Sequence, residues 1–182
     1  ALVYYLLLEQ DYPQSKFLVQ AQQEAAKLTK YSLNNCEQGI SVYQRLIDRN
    51  TDDSVRYQYE IADCYARLQN WSQAAIEFES LLNTYPDSEL SATAYYRLAD
   101  ARLLGRQPKE ARSNFEKVIQ FFPQSLLAQE AKFRLAEMLE EAEQLKKALQ
   151  AYSELTEYPR QELLKQKILR LKERMARKKK VL

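Results

Sequence analysis

The 182-residue sequence predicts an all-α fold, an array of stacked helix pairs that winds into a right-handed α-α superhelix. Three observations predict it. The first is composition. Gly occurs twice and Pro five times, too few for a fold built on many tight turns, while Ala, Leu, Glu, Gln, Lys and Arg, the good helix formers, dominate. The second is repetition. Residues 85–100 read YPDSELSATAYYRLAD and residues 122–137 read FPQSLLAQEAKFRLAE. The third is period. Within each unit the apolar residues recur at helical spacing, as Ala92, Tyr95, Leu98, Ala99 and Leu103 do.

Several registers share one ruler. Ala62, Ala99 and Ala136 are spaced 37 and 37, each followed by an acid: Asp63, Asp100 and Glu137. Tyr43, Phe78, Phe115 and Tyr152 form a second register, each with a small residue four before it: Gly39, Ala74, Ala111 and Ala148. Tyr12-Pro13, Tyr85-Pro86, Phe122-Pro123 and Tyr158-Pro159 form a third. Each unit therefore reads as two helices. In the unit 88–124, Gly105 suits a left-handed residue closing the first helix. Pro108 suits the first turn of the second, where a missing N–H costs nothing. Ser88 and Ser125 sit where an N-cap is wanted. Small residues on facing helices let the pair approach closely, with an aromatic filling the space one turn on.

Small residue, small residue twelve on, aromatic four on and proline eight on resembles the tetratricopeptide-repeat pattern. It reads Ala62-Ala74-Phe78-Pro86, then Ala99-Ala111-Phe115-Pro123, then Ala136-Ala148-Tyr152 with Pro159 one short. The 37-residue unit and its Tyr-Pro-x-Ser turn look like the repeats of bacterial cell-envelope members, such as the Tol–Pal coordinator and the outer-membrane assembly lipoprotein. On this ruler the chain is a single array. Residues 1–14 end a preceding repeat, because Ala1, Tyr5 and Pro13 match a second helix, so the chain is expected to be a piece of a longer array. Residues 15–53 are a degenerate repeat, with a longer connection at 30–38. Residues 54–87, 88–124 and 125–160 are full repeats. Residues 161–182 are a basic capping helix and tail, with Lys172 where the small residue is expected.

The resemblance implies a concave groove lined by the first helix of each pair. Carried over position by position, it comprises Arg56, Tyr59, Asp63, Ala66 and Arg67; Thr93, Tyr96, Asp100, Leu103 and Leu104; and Glu130, Phe133, Glu137, Glu140 and Glu141. Two rows emerge, aromatic (Tyr59, Tyr96, Phe133) and acidic (Asp63, Asp100, Glu137). They suit a peptide that carries apolar and Lys/Arg side chains. Packing of the aromatics and plain solvation of the acids is the competing account. The carboxylate clamp of chaperone-binding members needs Lys and Asn where Tyr59 and Asp63 stand, which argues against an adaptor for acidic tails.

Residues 160–182 hold ten Lys/Arg against two Glu. The run Arg177, Lys178, Lys179, Lys180 suits weak contact with an anionic membrane surface, or a solvated tail; nucleic acid is disfavoured by the net charge of only +2. The absence of histidine removes the commonest general base and metal ligand. Cys36 and Cys64 show no ligand spacing and are expected to be buried apolar residues. With no nucleophile–base pair, metal cluster or phosphate loop, no enzyme and no cofactor are expected. The expected function is a non-catalytic scaffold or adaptor holding a peptide or protein partner in the groove. The alternative is a structural spacer, self-associating or packed on flanking repeats. Compartment is undecided between envelope and cytoplasm, with the resemblance pointing to the envelope.

Overall fold

The computed structural model describes residues 1–49 and 53–181, with residues 179–181 described by backbone alone. Among them are ten α-helices and no strand: α1 (Leu2–Asp11), α2 (Leu18–Lys27), α3 (Cys36–Asp48), α4 (Ser54–Arg67), α5 (Trp71–Thr84), α6 (Ser91–Leu104), α7 (Pro108–Phe121), α8 (Leu126–Glu141), α9 (Leu145–Ser153) and α10 (Gln161–Val181). A π-helical turn, Leu28–Ser32, extends α2. The helices fall into two compact units, Ala1–Gly105 and Arg106–Leu182.

In the first unit each helix packs on the next, from α1 to α6. The periodic small residues occupy the seams. Ala62 on α4 and Ala74 on α5 are wholly buried in one cluster with Phe78, Leu81 and Leu98. A second cluster joins Ala25 and Ala26 of α2 to Val42, Tyr43 and Leu46 of α3 and to Tyr57 and Ile61 of α4. In the second unit Ala136, Ala148 and Tyr152 repeat the arrangement, and α10 seals it. Leu164 and Leu171 are buried there, with Ile168 and Met175 packed alongside.

The corners explain the remaining periodic residues. Tyr12, Tyr85 and Phe122, each before a proline, close their helices at φ/ψ of −134/61, −132/62 and −130/51. These angles lie outside the α region, which a following proline ring disfavours. Each donates its N–H to the carbonyl four residues back, on Leu8, Leu81 and Val118. Pro108 opens α7, as expected. Ser125 caps α8 by accepting the Ala128 N–H. Ser88 does not cap α6. That helix begins only at Ser91, and Ser88 pairs through its hydroxyl with Ser91 at 3.0 Å.

The left-handed residue is also displaced from expectation. Gly105 has φ −76, and the positive φ falls one residue later, on Arg106 (φ 60). Gln69 and Glu143, 37 residues to either side, adopt the same conformation at φ 58 and φ 59. The corner is therefore a property of the repeat and not of glycine. At Gly105 the relevant constraint is space. A Cβ there would stand 3.1 Å from the Ala101 carbonyl oxygen and 3.4 Å from the Trp71 Cβ.

Gly39 has neither need. It is buried inside α3, where a Cβ would meet Cys64 Sγ and Lys30 Cβ at 3.7 Å, ordinary contact distance. Gly39→Ala is expected to raise stability by about 0.5–1 kcal/mol through helix propensity. A urea titration followed by circular dichroism checks this; an unchanged or lowered midpoint would show that the seam is tighter than the distances imply.

Candidate functional site

The groove positions assigned from sequence fall on α4 and α6 in the first unit and on α8 in the second. In the first unit, α4 carries Arg56, Tyr59, Asp63 and Arg67, and α6 carries Thr93, Tyr96, Asp100 and Leu103. Between these helices lies a cleft of about 260 Å³. Asp63, Arg67 and Asp100 line it together with Arg97 and Leu104, and Phe78, Trp71 and Ala101 supply apolar surface. Leu104, not its neighbour Leu103, reaches this cleft. Tyr59 sets its edge against the Phe78 ring, centroids 5.6 Å apart, so it supports the cleft from beneath. Thr93 and Tyr96 are half-buried on α6, outside the cleft lining.

The electrostatics are more occupied than the sequence suggests. Asp63 contacts the ammonium of Lys30 at 2.7 Å and Arg97 at 3.8 Å. The Lys30 side chain is fully buried and also pairs with Glu60. Burial alone would lower its pKa, but hydrogen bonds to Asp63 and Glu60 outweigh burial and hold the ammonium above the ordinary lysine value. Burial likewise works against the Arg97 charge, and its hydrogen bond to Tyr59 with the Asp63 and Asp100 carboxylates more than restores it. Arg67 bonds the Asn34 side chain and lies over the Tyr31 ring at 5.9 Å. Arg56 reaches Glu89 at 3.3 Å.

Sequence reasoning missed Arg97 and Lys30. Arg97 carries a signal, three residues before Asp100 on the same helix face. Lys30 carries almost none, since only the extra length of the 30–38 connection marks the π-helical turn that aims it inward.

In the second unit the predicted positions are covered. Phe133 is 4% exposed. Its ring stacks on Tyr158 at 4.7 Å with parallel planes, and Tyr152 lies 5.4 Å away. Glu137 pairs with Lys167 at 3.0 Å and with Arg134 at 3.1 Å. Glu140 takes the Tyr152 hydroxyl at 3.0 Å and Lys167 at 3.5 Å. Helix α10 thus lays its cations on the acids of α8. Lys178 pairs with Glu143, and Arg177 reaches Glu173 at 3.9 Å. The side chains of Lys179 and Lys180 lie outside the described residues. Cys36 and Cys64 are free thiols, both buried. No helix among the described residues is long and apolar enough to cross a membrane.

Family models of the tetratricopeptide repeat match residues 28–89 and 93–125, together just over half of the chain. This chain is a tetratricopeptide-repeat protein. Solved structures agree on the fold of the repeat protein. MamA (residues 41 to the end) from Desulfovibrio magneticus RS-1 superposes with a TM-score of 0.67 at 14% identity, over 88% of this chain and 84% of that one. A kinesin light chain of nearly identical repeats from Podosopora anserina gives 0.67 at 13% identity, over 92% and 91%. YrrB, described as a tetratricopeptide-repeat protein with an unusual peptide-binding site, gives 0.60 at 18% identity, over 87% and 76%. At these identities the likeness establishes the all-α repeat fold alone, a fold that typically serves as a non-catalytic interaction scaffold. No curated protein matches the sequence.

Proposed function

We propose that this repeat protein is a non-catalytic interaction module that holds a peptide segment of a partner protein in the cleft between α4 and α6. One observation carries the reading: two consecutive first helices place two arginines and two aspartates around an apolar floor. Opposite charges beside aromatic surface suit an extended backbone with mixed side chains, because each wall offers both apolar contact and charged hydrogen bonds. A neighbour of the same fold, YrrB, is described by its peptide-binding site, which agrees with this use of the repeat. The Tyr-Pro-x-Ser turn supports placing the module in a bacterial envelope assembly.

The test is selection of a phage-displayed peptide library on the immobilised chain, with an Arg67→Ala/Asp100→Asn variant in parallel. Both substitutions change partly exposed side chains, and helicity is checked first by circular dichroism. Selected peptides are expected to lose about tenfold or more in affinity for the variant, the scale of a lost charged contact. A selection that never converges, or peptides that bind both chains equally, would sink the cleft as a binding site and favour a spacer.

A further inference from the structure

A second cavity, of about 400 Å³, lies elsewhere in the first unit, between α2 with its π-helical turn and α4. Most of its lining was not singled out by sequence. Its apolar surface comes from Leu28, Tyr31, Tyr43 and Tyr57. Tyr57 is fixed: it is 4% exposed, its ring stacks on Tyr43 at 6.0 Å, and its hydroxyl accepts from Gln23 at 2.5 Å. Tyr31 stands at the mouth, 59% exposed, with its hydroxyl donating to Glu60 at 2.7 Å.

Three carboxylates, Glu24, Asp53 and Glu60, share this lining with two cations, Lys27 and Arg56. Those cations do not neutralise the cavity evenly. Lys27 sits on Glu24 at 2.9 Å, and Lys30 serves Glu60 from below. Arg56 is nearer to Glu89, outside the cavity, at 3.3 Å than to Asp53 at 4.0 Å. Among the described residues, the other side-chain contact of Asp53 is a long one, 3.4 Å from the Tyr57 hydroxyl. A carboxylate accepts about four hydrogen bonds, so Asp53 keeps most of its capacity while lying beside aromatic rings.

We propose that this cavity takes one basic side chain, lysine or arginine, from a bound peptide. The proposal rests on reading the chain as a peptide-binding module but not on the α4–α6 cleft. The aliphatic stem lies along Tyr31 and Leu28, as the stems of long cationic residues lie on apolar surface. The charged head pairs with Asp53 and Glu24, in charge-assisted bonds with the tyrosine rings adding attraction for a cation. An apolar side chain would strip water from Asp53 and Glu24 and return nothing to them. An acidic one would meet three carboxylates, with Lys27 and Arg56 already engaged by Glu24 and Glu89.

The probe is the peptide acetyl-Gly-Ala-Arg-Ala-Gly-amide, titrated into the isotopically labelled full chain and followed by amide chemical shifts. The comparison peptides carry lysine, citrulline or glutamate in place of arginine; citrulline keeps the shape of arginine without its charge. Saturable shifts are expected at residues 23–32 and 53–60 with the arginine and lysine peptides. Affinity should fall by about fivefold or more with citrulline, with a Glu24→Gln/Asp53→Asn chain, and in about 0.3 M salt. Equal binding of the citrulline peptide, shifts mapping elsewhere, full retention by the variant, or no binding at all would each overturn the proposal. The citrulline arm needs no variant and is indifferent to folding defects. Library peptides that need Arg67 and Asp100 but bind without any arginine or lysine preference would remove this pocket and leave the cleft. The reverse pattern would remove the cleft and leave the pocket.

Discussion

Replacing Phe133 by alanine is expected to cost the second unit about 3–5 kcal/mol, the range for deleting a buried ring. Its ring is 4% exposed and lies between Tyr152 and Tyr158, parallel to the latter at 4.7 Å. The same cluster holds Leu164 and Leu171 of α10, so the cavity left behind would open beneath the closing helix. Urea denaturation followed by far-ultraviolet circular dichroism measures the loss. The single tryptophan, Trp71, lies in the first unit, and its fluorescence gives a separate reading there. A loss below about 1 kcal/mol, as for surface substitutions, would mean that Phe133 faces solvent along an open groove after all.

Lys30→Met is expected to cost about 3 kcal/mol, because it leaves Glu60 and Asp63 side by side without their shared cation. The two carboxylates are 17% and 18% exposed, so water relieves them only in part. The pH dependence gives the sign. The folded-state pKa of Lys30 is raised, so its stabilisation is complete below the unfolded lysine value of about 10.4 and is lost only as pH rises through the still higher folded value. Between neutrality and mild alkali Lys30 therefore contributes no slope. The deficit of the variant should therefore stay level from about pH 7 to about pH 9. Chemical denaturation of both chains across this range checks it, and a deficit that shrinks within it would show that Lys30 is not held above its ordinary value.

The two substitutions mark the boundary of what the sequence discloses. Period discloses steric demands that recur: Ala62, Ala74, Phe78, Ala136, Ala148 and Tyr152 are buried where the ruler places them. It discloses three of the four proline corners for the same reason; at the fourth, α9 already ends at Ser153 and Tyr158 packs on Phe133 instead. It says less about features that occur once. The π-helical turn that buries Lys30 has no counterpart in the other repeats among the described residues, so no register points to it. Phe133 was carried over as a groove residue because its position is open in a continuing array. Here α10 and the preceding Tyr158 cover it, and the opposite charges of α8 and α10 are the readable trace of that packing. Glycine at 105 is a third instance. Its freedom at positive φ points to Gly105, while the backbone places the left-handed angle on Arg106, in step with Gln69 and Glu143. The candidate cleft was legible in part: Asp63, Arg67 and Asp100 line it, while Arg97 became visible only through its neighbours.

The proline corners carry a consequence of their own. Tyr12, Tyr85 and Phe122 leave their helices along nearly the same backbone path, in both units. A joint that does not depend on its surroundings is a joint at which cassettes can be exchanged. A 37-residue block cut at the Tyr85-Pro86 and Phe122-Pro123 steps would arrive with matching ends. Such an array can lengthen, shorten or be shuffled by recombination without inventing a new turn, and selection is then free to act on the faces that each cassette displays.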